Sequence, residues 1–342
     1  MIPSRGVAGR RFGFHIAGDY RVKTQVWGTI VESCGGIVAL PMFLSSLAND
    51  SLDAPHDSPL WRDASSLPWS VRALAYGEPM AFKKPLPKSL SPSRLADFQA
   101  CPRRYQHASV ERLPQPASYA SAKGRFVHYI FEHLFHCVPA ERTIEAARGF
   151  VAPALESVMS ADVRVDIAMD DVLEARLLAE TDLMIERYFT MEDPRTITTE
   201  GVEMRVGVTI GETPLFGILD RLDRDDEGNL VIVDYKTGSL PNRNYDAQTF
   251  ANSELYAVLC EEKLHERPTK IRLLYVSQGE TIERPVSEVV IRARATAATS
   301  AWEKINRYYD QGDFPATPSK NACRFCSFTE LCRSQGVPVP PR

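Results

Sequence analysis

From Gly201 onward the chain alternates. Val202, Met204, Val206 and Val208 are separated by polar or small residues, a period of two that predicts a half-buried β-strand. Gly211-Glu212-Thr213 reads as a turn into a second strand. Two runs rich in branched apolar residues, Ile218 to Leu222 and Leu230 to Val233, then flank the polar cluster Arg224 to Asn229, with Gly228 as turn former, which is the pattern of a β-hairpin. Three consecutive antiparallel strands are expected. Upstream the period lengthens to that of helices. Ser91 followed by Pro92 is a cap and a first helical position, opening a helix that carries Leu95, Phe98 and Tyr105. A second helix is expected from about Ser121, with Phe126, Ile130, Phe131, Leu134 and Phe135 as its buried stripe, and helical patterns follow over about 142–159 and 170–190. Downstream come a helix over about Asp246 to Lys263, strands over about 270–276 and 282–286, and an amphipathic helix from about Val290 to Tyr309 with Trp302 and Ile305. Strands interleaved with long helices predict an α/β fold, a mixed sheet flanked by helices with a helical insertion.

Residues 1–88 break this picture. They are rich in Gly, Pro, Ser and Asp, show little periodicity, and end in a Pro/Lys stretch, Lys83 to Lys88, that reads as a linker. They are expected to form a poorly defined extension, partly disordered, ahead of one domain over 89–335 and a short tail. The formal net charge of -4 over 342 residues gives no global attraction to nucleic acid, so a DNA-binding surface has to be local. Arg94, Arg103, Arg104, Arg112, Lys123 and Arg125 form one such basic stretch, which is equally the pattern of a solvated helical face. No uninterrupted run of about 20 apolar residues suggests a membrane span. The N-terminal arginines precede no secretory apolar core, and seven unevenly placed cysteines do not suggest a disulfide framework, so a cytoplasmic location is expected.

Candidate chemistry gathers at one end of the hairpin. Asp220 sits among apolar neighbours in its first strand, and Asp234, Tyr235 and Lys236 close its second before Gly238. Carboxylates at the margin of a buried sheet call for a cation, and an oxygen-ligated divalent ion beside a lysine outlines a phosphodiester-hydrolysis site. Taken alone, Asp234 and Lys236 are also the pattern of a surface ion pair worth at most about 1 kcal/mol. His128 and Glu132, four apart, share a helix face, where a lone histidine is commonly a satisfied core residue. Gln248, Asn252 and Tyr256 form a polar stripe on the helix after the hairpin. In the tail, Cys323, Cys326 and Cys332 give C-x2-C-x5-C, close enough for one ion or cluster. The fourth ligand has to come from elsewhere, and Cys101, at a helix end beside Pro102, is the best placed.

These pieces together resemble the RecB-like branch of the PD-(D/E)XK nucleases, which includes the AddB nuclease domain and CRISPR-associated exonucleases. The closest likeness is to stand-alone actinobacterial RecB-family exonucleases. LSPSRLADFQACPRRY resembles the first-cysteine motif, GRFVH the metal-ligand helix, GILDRLD and VDYKTG the two carboxylate motifs, and CRFCSFTELC the cysteine triplet. The resemblance covers about 89–335 and implies a restriction-endonuclease-like core. It implies that Asp220, Asp234, His128 and the carbonyl of Tyr235 bind Mg2+ or Mn2+, that Lys236 orients the attacking water, and that Tyr256 belongs to the site. It further implies that Cys101, Cys323, Cys326 and Cys332 hold a 4Fe-4S cluster; Zn2+ is the alternative occupant. The family's usual Gln before the helix Tyr is here Asn252, with Gln248 one turn earlier. DNA, single-stranded or at ends, is the implied substrate, contacted by Arg103, Arg104, Arg125, Gln248 and Asn252. With no GxxxxGK[ST] loop, unwinding would fall to a helicase partner. The expected activity is a DNA exonuclease in repair or recombination; the rival reading is a non-catalytic DNA-binding or scaffold protein that keeps the cysteine site.

Overall fold

The computed structural model describes residues 84–241 and 249–341. Five strands form one mixed sheet in the order β1-β2-β3-β4-β5: Thr198–Ile210, Thr213–Arg224, Leu230–Lys236, Lys270–Tyr275 and Glu280–Pro285. The first three are antiparallel neighbours, as the alternation predicts, while β3 and β4 run parallel. A parallel pair needs a crossover, which the long helical pattern between Lys236 and Lys270 supplies.

The helices follow their caps. Helix α1 (Pro92–Ala100) starts where Ser91 accepts a bond from the Arg94 amide and Pro92 fills the first position. Helix α2 (Tyr119–His136) begins two residues earlier than expected, because Ser118 and Ser121 cap each other's backbone. Helix α3 (Asp171–Met191) is capped by Asp170, whose side chain accepts from the Leu173 amide at 2.7 Å. The pattern over 142–159 is two helices, Ile144–Gly149 and Val151–Val158, with the break at Phe150, which ends one and begins the next. Helix α4 (Ala251–Leu264) follows the hairpin, and the expected start near Asp246 lies outside the described residues. Helix α5 (Glu288–Gln311) ends at Gly312, whose φ of 74° is the left-handed conformation glycine adopts without strain. Two short helices, α6 (Lys320–Arg324) and α7 (Thr329–Ser334), complete the tail.

The sheet divides two cores. On one face α1, α4 and α5 cover Leu219, Leu222, Ile232, Ile271 and Leu273; on the other, α2 and α3 cover Val231, Val233, Tyr235 and Leu274. The α2 stripe is fully buried as its spacing predicts, with Phe126, Ile130, Phe131 and Leu134 all at 0% exposure. At roughly 1.5 to 3 kcal/mol for each large apolar side chain removed from water, that stripe alone fixes α2 against the sheet. Among the described residues no helix is long and apolar enough to cross a membrane.

Candidate active site

The site lies where the β1–β2 hairpin changes face. In a regular strand Val202 and Met204 would share a face, yet Val202 packs in the α2 core and Met204 in the α4 core. The reversal falls on Glu203, which carries a φ of 44°, an uncommon conformation for a side chain with a Cβ. The neighbouring pairs are Val202 with Arg221 and Met204 with Leu219, so Glu203 stands opposite Asp220. On β2 the same reversal sends Leu219 to the α4 core and lays Arg221 over the Phe135 ring. The twist thus brings Glu203 and Asp220 together at the margin between the two cores.

Three elements converge there. From α2, His128 points its Nδ1 at Asp220 Oδ2, 3.4 Å away, and its Nε2 at the Tyr235 carbonyl, 3.0 Å away. The Tyr235 amide donates to Asp220 Oδ2 at 2.9 Å. On β3, Asp234 accepts from Lys236 Nζ at 2.6 Å and from Ser253 of α4 at 2.8 Å. Helix α4 reaches the sheet so closely because residue 217 is glycine: a Cβ there would stand 2.6 Å from Tyr256 and 2.8 Å from Leu259. Ligand atoms of His128, Glu203 and Asp220 all lie within 4.8 Å of one another, close enough to hold a metal ion.

The electrostatics favour a cation. Burial opposes a charged imidazole, but the Asp220 carboxylate beside it outweighs that and pushes His128 up to about 9. A positive ring between a carboxylate and a carbonyl marks a place where positive charge is stabilised. Asp220 is in turn lowered, against burial, chiefly by His128. Glu203 is pushed up to about 7 by burial and by the nearby Asp220 and Glu132 carboxylates. Asp234 is raised by burial and by Asp220 despite Lys236, and Lys236 is raised because Asp234 holds its charge. Tyr256 is raised by burial and by both aspartates, which places its hydroxyl in their field. Three carboxylates and an imidazole are a hard, mixed oxygen and nitrogen set suited to Mg2+ or Mn2+.

The structure therefore joins His128, Asp220, Asp234, Tyr235, Lys236 and Tyr256. It adds Glu203, which the sequence reading placed among the polar alternates of β1, and Ser253. Asp234, read from the sequence as a ligand, stands outside the close group, its Oδ2 engaged by Lys236 and Ser253. Asn252 is exposed on α4, and Gln248 lies outside the described residues. The arginines differ from one another. Arg103 donates to the Phe314 carbonyl at 2.7 Å and pairs with Asp313, and Arg104 pairs with Asp97, so both serve internal contacts. Arg125 is exposed and has no ion-pair partner among the described residues.

A second cluster forms at the tail. Cys101, Cys323, Cys326 and Cys332 line one cavity together with Ala316, Pro318, Ala322, Phe328, Val337 and Val339. Burial raises the Cys326 thiol and, with the neighbouring sulfurs, pushes Cys332 up to about 11.

An α/β sheet carrying hard metal ligands and a charged lysine at one strand end is the arrangement of a metal-dependent nuclease. Residues 89–333 match the family model of the PD-(D/E)XK nuclease superfamily, and the chain belongs to that superfamily. A search of curated proteins found no match. Among solved structures, one titled "Crystal structure of SSO0001" is similar over 60% of this chain and 85% of its own, with 16% identity and a TM-score of 0.30.

Proposed function

We propose that this protein is a metal-dependent DNA exonuclease of the RecB-like branch, acting on DNA ends in repair or recombination and carrying a 4Fe-4S cluster. The observation that carries the catalytic part is the meeting of His128, Glu203 and Asp220 within 4.8 Å beside the Asp234–Lys236 pair.

His128, Glu203, Asp220 and the Tyr235 carbonyl would hold Mg2+ or Mn2+, with Asp234 joining them on release from Lys236. A bound divalent ion supplies charge neutralisation and a hydroxide near neutral pH. To serve as a ligand His128 gives up its proton, so cation binding here is coupled to proton release. Lys236, kept positive by Asp234, orients the attacking water and stabilises the charge that grows on the phosphate. Ser253 and Tyr256 of α4 hold the Asp234 side of the site in place. Arg125 is the phosphate contact we assign with most support, being exposed and unpaired; its removal lowers DNA affinity equally for all sequences and reduces the salt slope by about one unit.

For the cysteines the donor set decides between occupants. Four thiolates at about 2.3 Å around one tetrahedral Zn2+ stand roughly 3.8 Å apart. The one described group with ligand atoms all within 4.8 Å is the carboxylate and histidine set, so the sulfurs are spread more widely than one zinc ion requires. Wide spacing in an apolar cavity supports an iron-sulfur cluster. A helicase partner would supply duplex unwinding.

Digestion of end-labelled linear and covalently closed circular DNA, single- and double-stranded, with Mn2+ or Mg2+, tests the reading. Linear DNA is expected to be shortened from an end by the wild type, the circles to survive, and Lys236→Ala to be inactive. Cutting of circles would make it an endonuclease. No cutting of any substrate by protein with its cluster intact would favour the non-catalytic DNA-binding reading.

A further inference from the structure

We infer that Arg221 is a positioning residue of this site: through the Tyr235 hydroxyl it sets the one peptide that holds both Asp220 and His128. The inference rests on the nuclease reading given above. The β2–β3 ladder begins at Arg224 with Leu230 and ends at Arg221 with Val233. Asp220 and Asp234 therefore lie just past the last backbone pair between their strands. Beyond that point β2 and β3 are joined by side chains: the Tyr235 amide donates to Asp220 Oδ2, and Arg221 Nη1 donates to the Tyr235 hydroxyl at 2.6 Å.

Tyr235 is held at three points. Its hydroxyl binds Arg221, its amide binds Asp220 and its carbonyl binds His128, so a shift of its side chain moves the two backbone groups that face the metal ligands. Its ring is wedged between Phe131, 4.8 Å away, and Tyr188, 6.1 Å away. Arg221 is itself clamped. It has no exposed surface, stacks on Phe135 at 4.2 Å, pairs with Glu192 at 2.7 Å and Asp223 at 2.9 Å, and reaches the Tyr188 hydroxyl. Glu192 also accepts from Tyr188 at 2.8 Å and pairs with Arg272 of β4 at 3.4 Å. The network thus spans α3, β2, β3 and β4.

Stability alone does not account for it. Replacing a buried ion cluster by apolar side chains is often neutral or stabilising, because desolvation of the charges offsets their attraction. This cluster also leaves Arg221 Nη2 and Asp223 Oδ1 without a well-aligned hydrogen bond. What a buried guanidinium provides, and packed hydrocarbon does not, is a set of directed bonds that fix the Tyr235 ring relative to β2.

Two variants test this. Tyr235→Phe deletes only the bonded hydroxyl, and Arg221→Lys keeps the charge but lacks the fork. Amide hydrogen exchange followed by NMR reads the amide at position 235 independently of any metal. In Tyr235→Phe, its protection is expected to fall about tenfold while Val231 and Val233, inside the ladder, stay protected. Mn2+ affinity, from the free-ion EPR signal, is expected to weaken about tenfold, as for loss of a partner that orients a ligand. Arg221→Lys is expected to show the same local pattern; should it fail to fold, Tyr235→Phe decides alone. Unchanged protection at position 235, or an equal loss along the whole ladder, overturns the positioning role. A wild type that binds no Mn2+ overturns the metal reading instead, and amide exchange still judges Arg221 by the same criterion.

Discussion

The carboxylate centre and the cysteine cluster each gather residues far apart in the chain, but they are built on different footings. The acidic groups sit on β1, β2 and β3 and face two long helices, and the strands that carry them are held by backbone ladders and two apolar cores. The cysteines sit at the end of α1 and on two helices of five and six residues. There the polar support is sparse: the Thr317 amide reaches Cys101 Sγ at 3.4 Å, and Arg103 reaches the Phe314 carbonyl. A site mounted on a sheet can lose a functional side chain and keep its frame. A site whose side chains are the frame cannot.

The sharpest way to break that contrast is Asp220→Asn. It removes a ligand charge from a spot crowded with Glu203 and Asp234, so cleavage is expected to fall at least about 10³-fold, as for loss of a key electrostatic group, with the melting temperature unchanged or raised. A stopped assay alongside calorimetry checks both halves, and a large drop in melting temperature would place Asp220 in the scaffold instead. Cys326→Ala should do the reverse. A cross-link between Cys101 and the tail closes a loop of over 200 residues, worth on the order of 4 kcal/mol in chain entropy and commonly less when measured. The variant is expected to be colourless, to melt several degrees lower and to be cut by protease near α1 and the tail, while the remaining folded molecules still cleave. Loss of cleavage in a fully folded Cys326→Ala protein would join the two regions functionally.

A smaller effect is expected for His128→Ala. Its helix is anchored by the buried α2 stripe, so half-saturation by Mn2+ should rise about tenfold, or roughly 1.4 kcal/mol, with little change in melting. A metal titration that does not move would return His128 to an ordinary core role. The smallest concerns the surface bridge between α2 and α3, where Glu180 pairs with Lys123 and Arg176. Against the burial that raises it, those bonds hold Glu180 down to about 2. Because the folded value is depressed, its stabilisation is present above the unfolded value near 4.5 and is lost as pH falls from there through about 2. Glu180→Gln should therefore cost at most about 1 kcal/mol at neutral pH, with a difference that closes toward pH 2 in acid-denaturation curves.

Much of this was legible in the chain. Period-two alternation and the turn at Gly228 marked β1 to β3, and the apolar spacing from Phe126 to Phe135 marked α2, since both are properties of single elements. Asp220, Asp234 and Lys236 stood out because charge at a strand margin is costly. Glu203 did not stand out. In the sequence it is one of several polar alternates beside Arg205 and Gly207, and its role depends on a left-handed residue that reverses the strand's faces. Arg103 and Arg104 looked like free positive charge, but Asp313 and the Phe314 carbonyl, which bind Arg103, come from over 200 residues away. Their pairing is a tertiary fact that local charge counting does not reach.

Gly217 has a consequence for how such an enzyme can be altered. Because the face of Tyr256 rests on the bare backbone at that position, even an alanine there acts as a wedge between β2 and α4. The helix would have to lift, and Ser253 on its underside would lift with it, drawing its hydroxyl from Asp234. One methyl group, placed three residues before Asp220 and bearing no chemistry of its own, would work as a throttle on the site, graded by side-chain volume instead of charge.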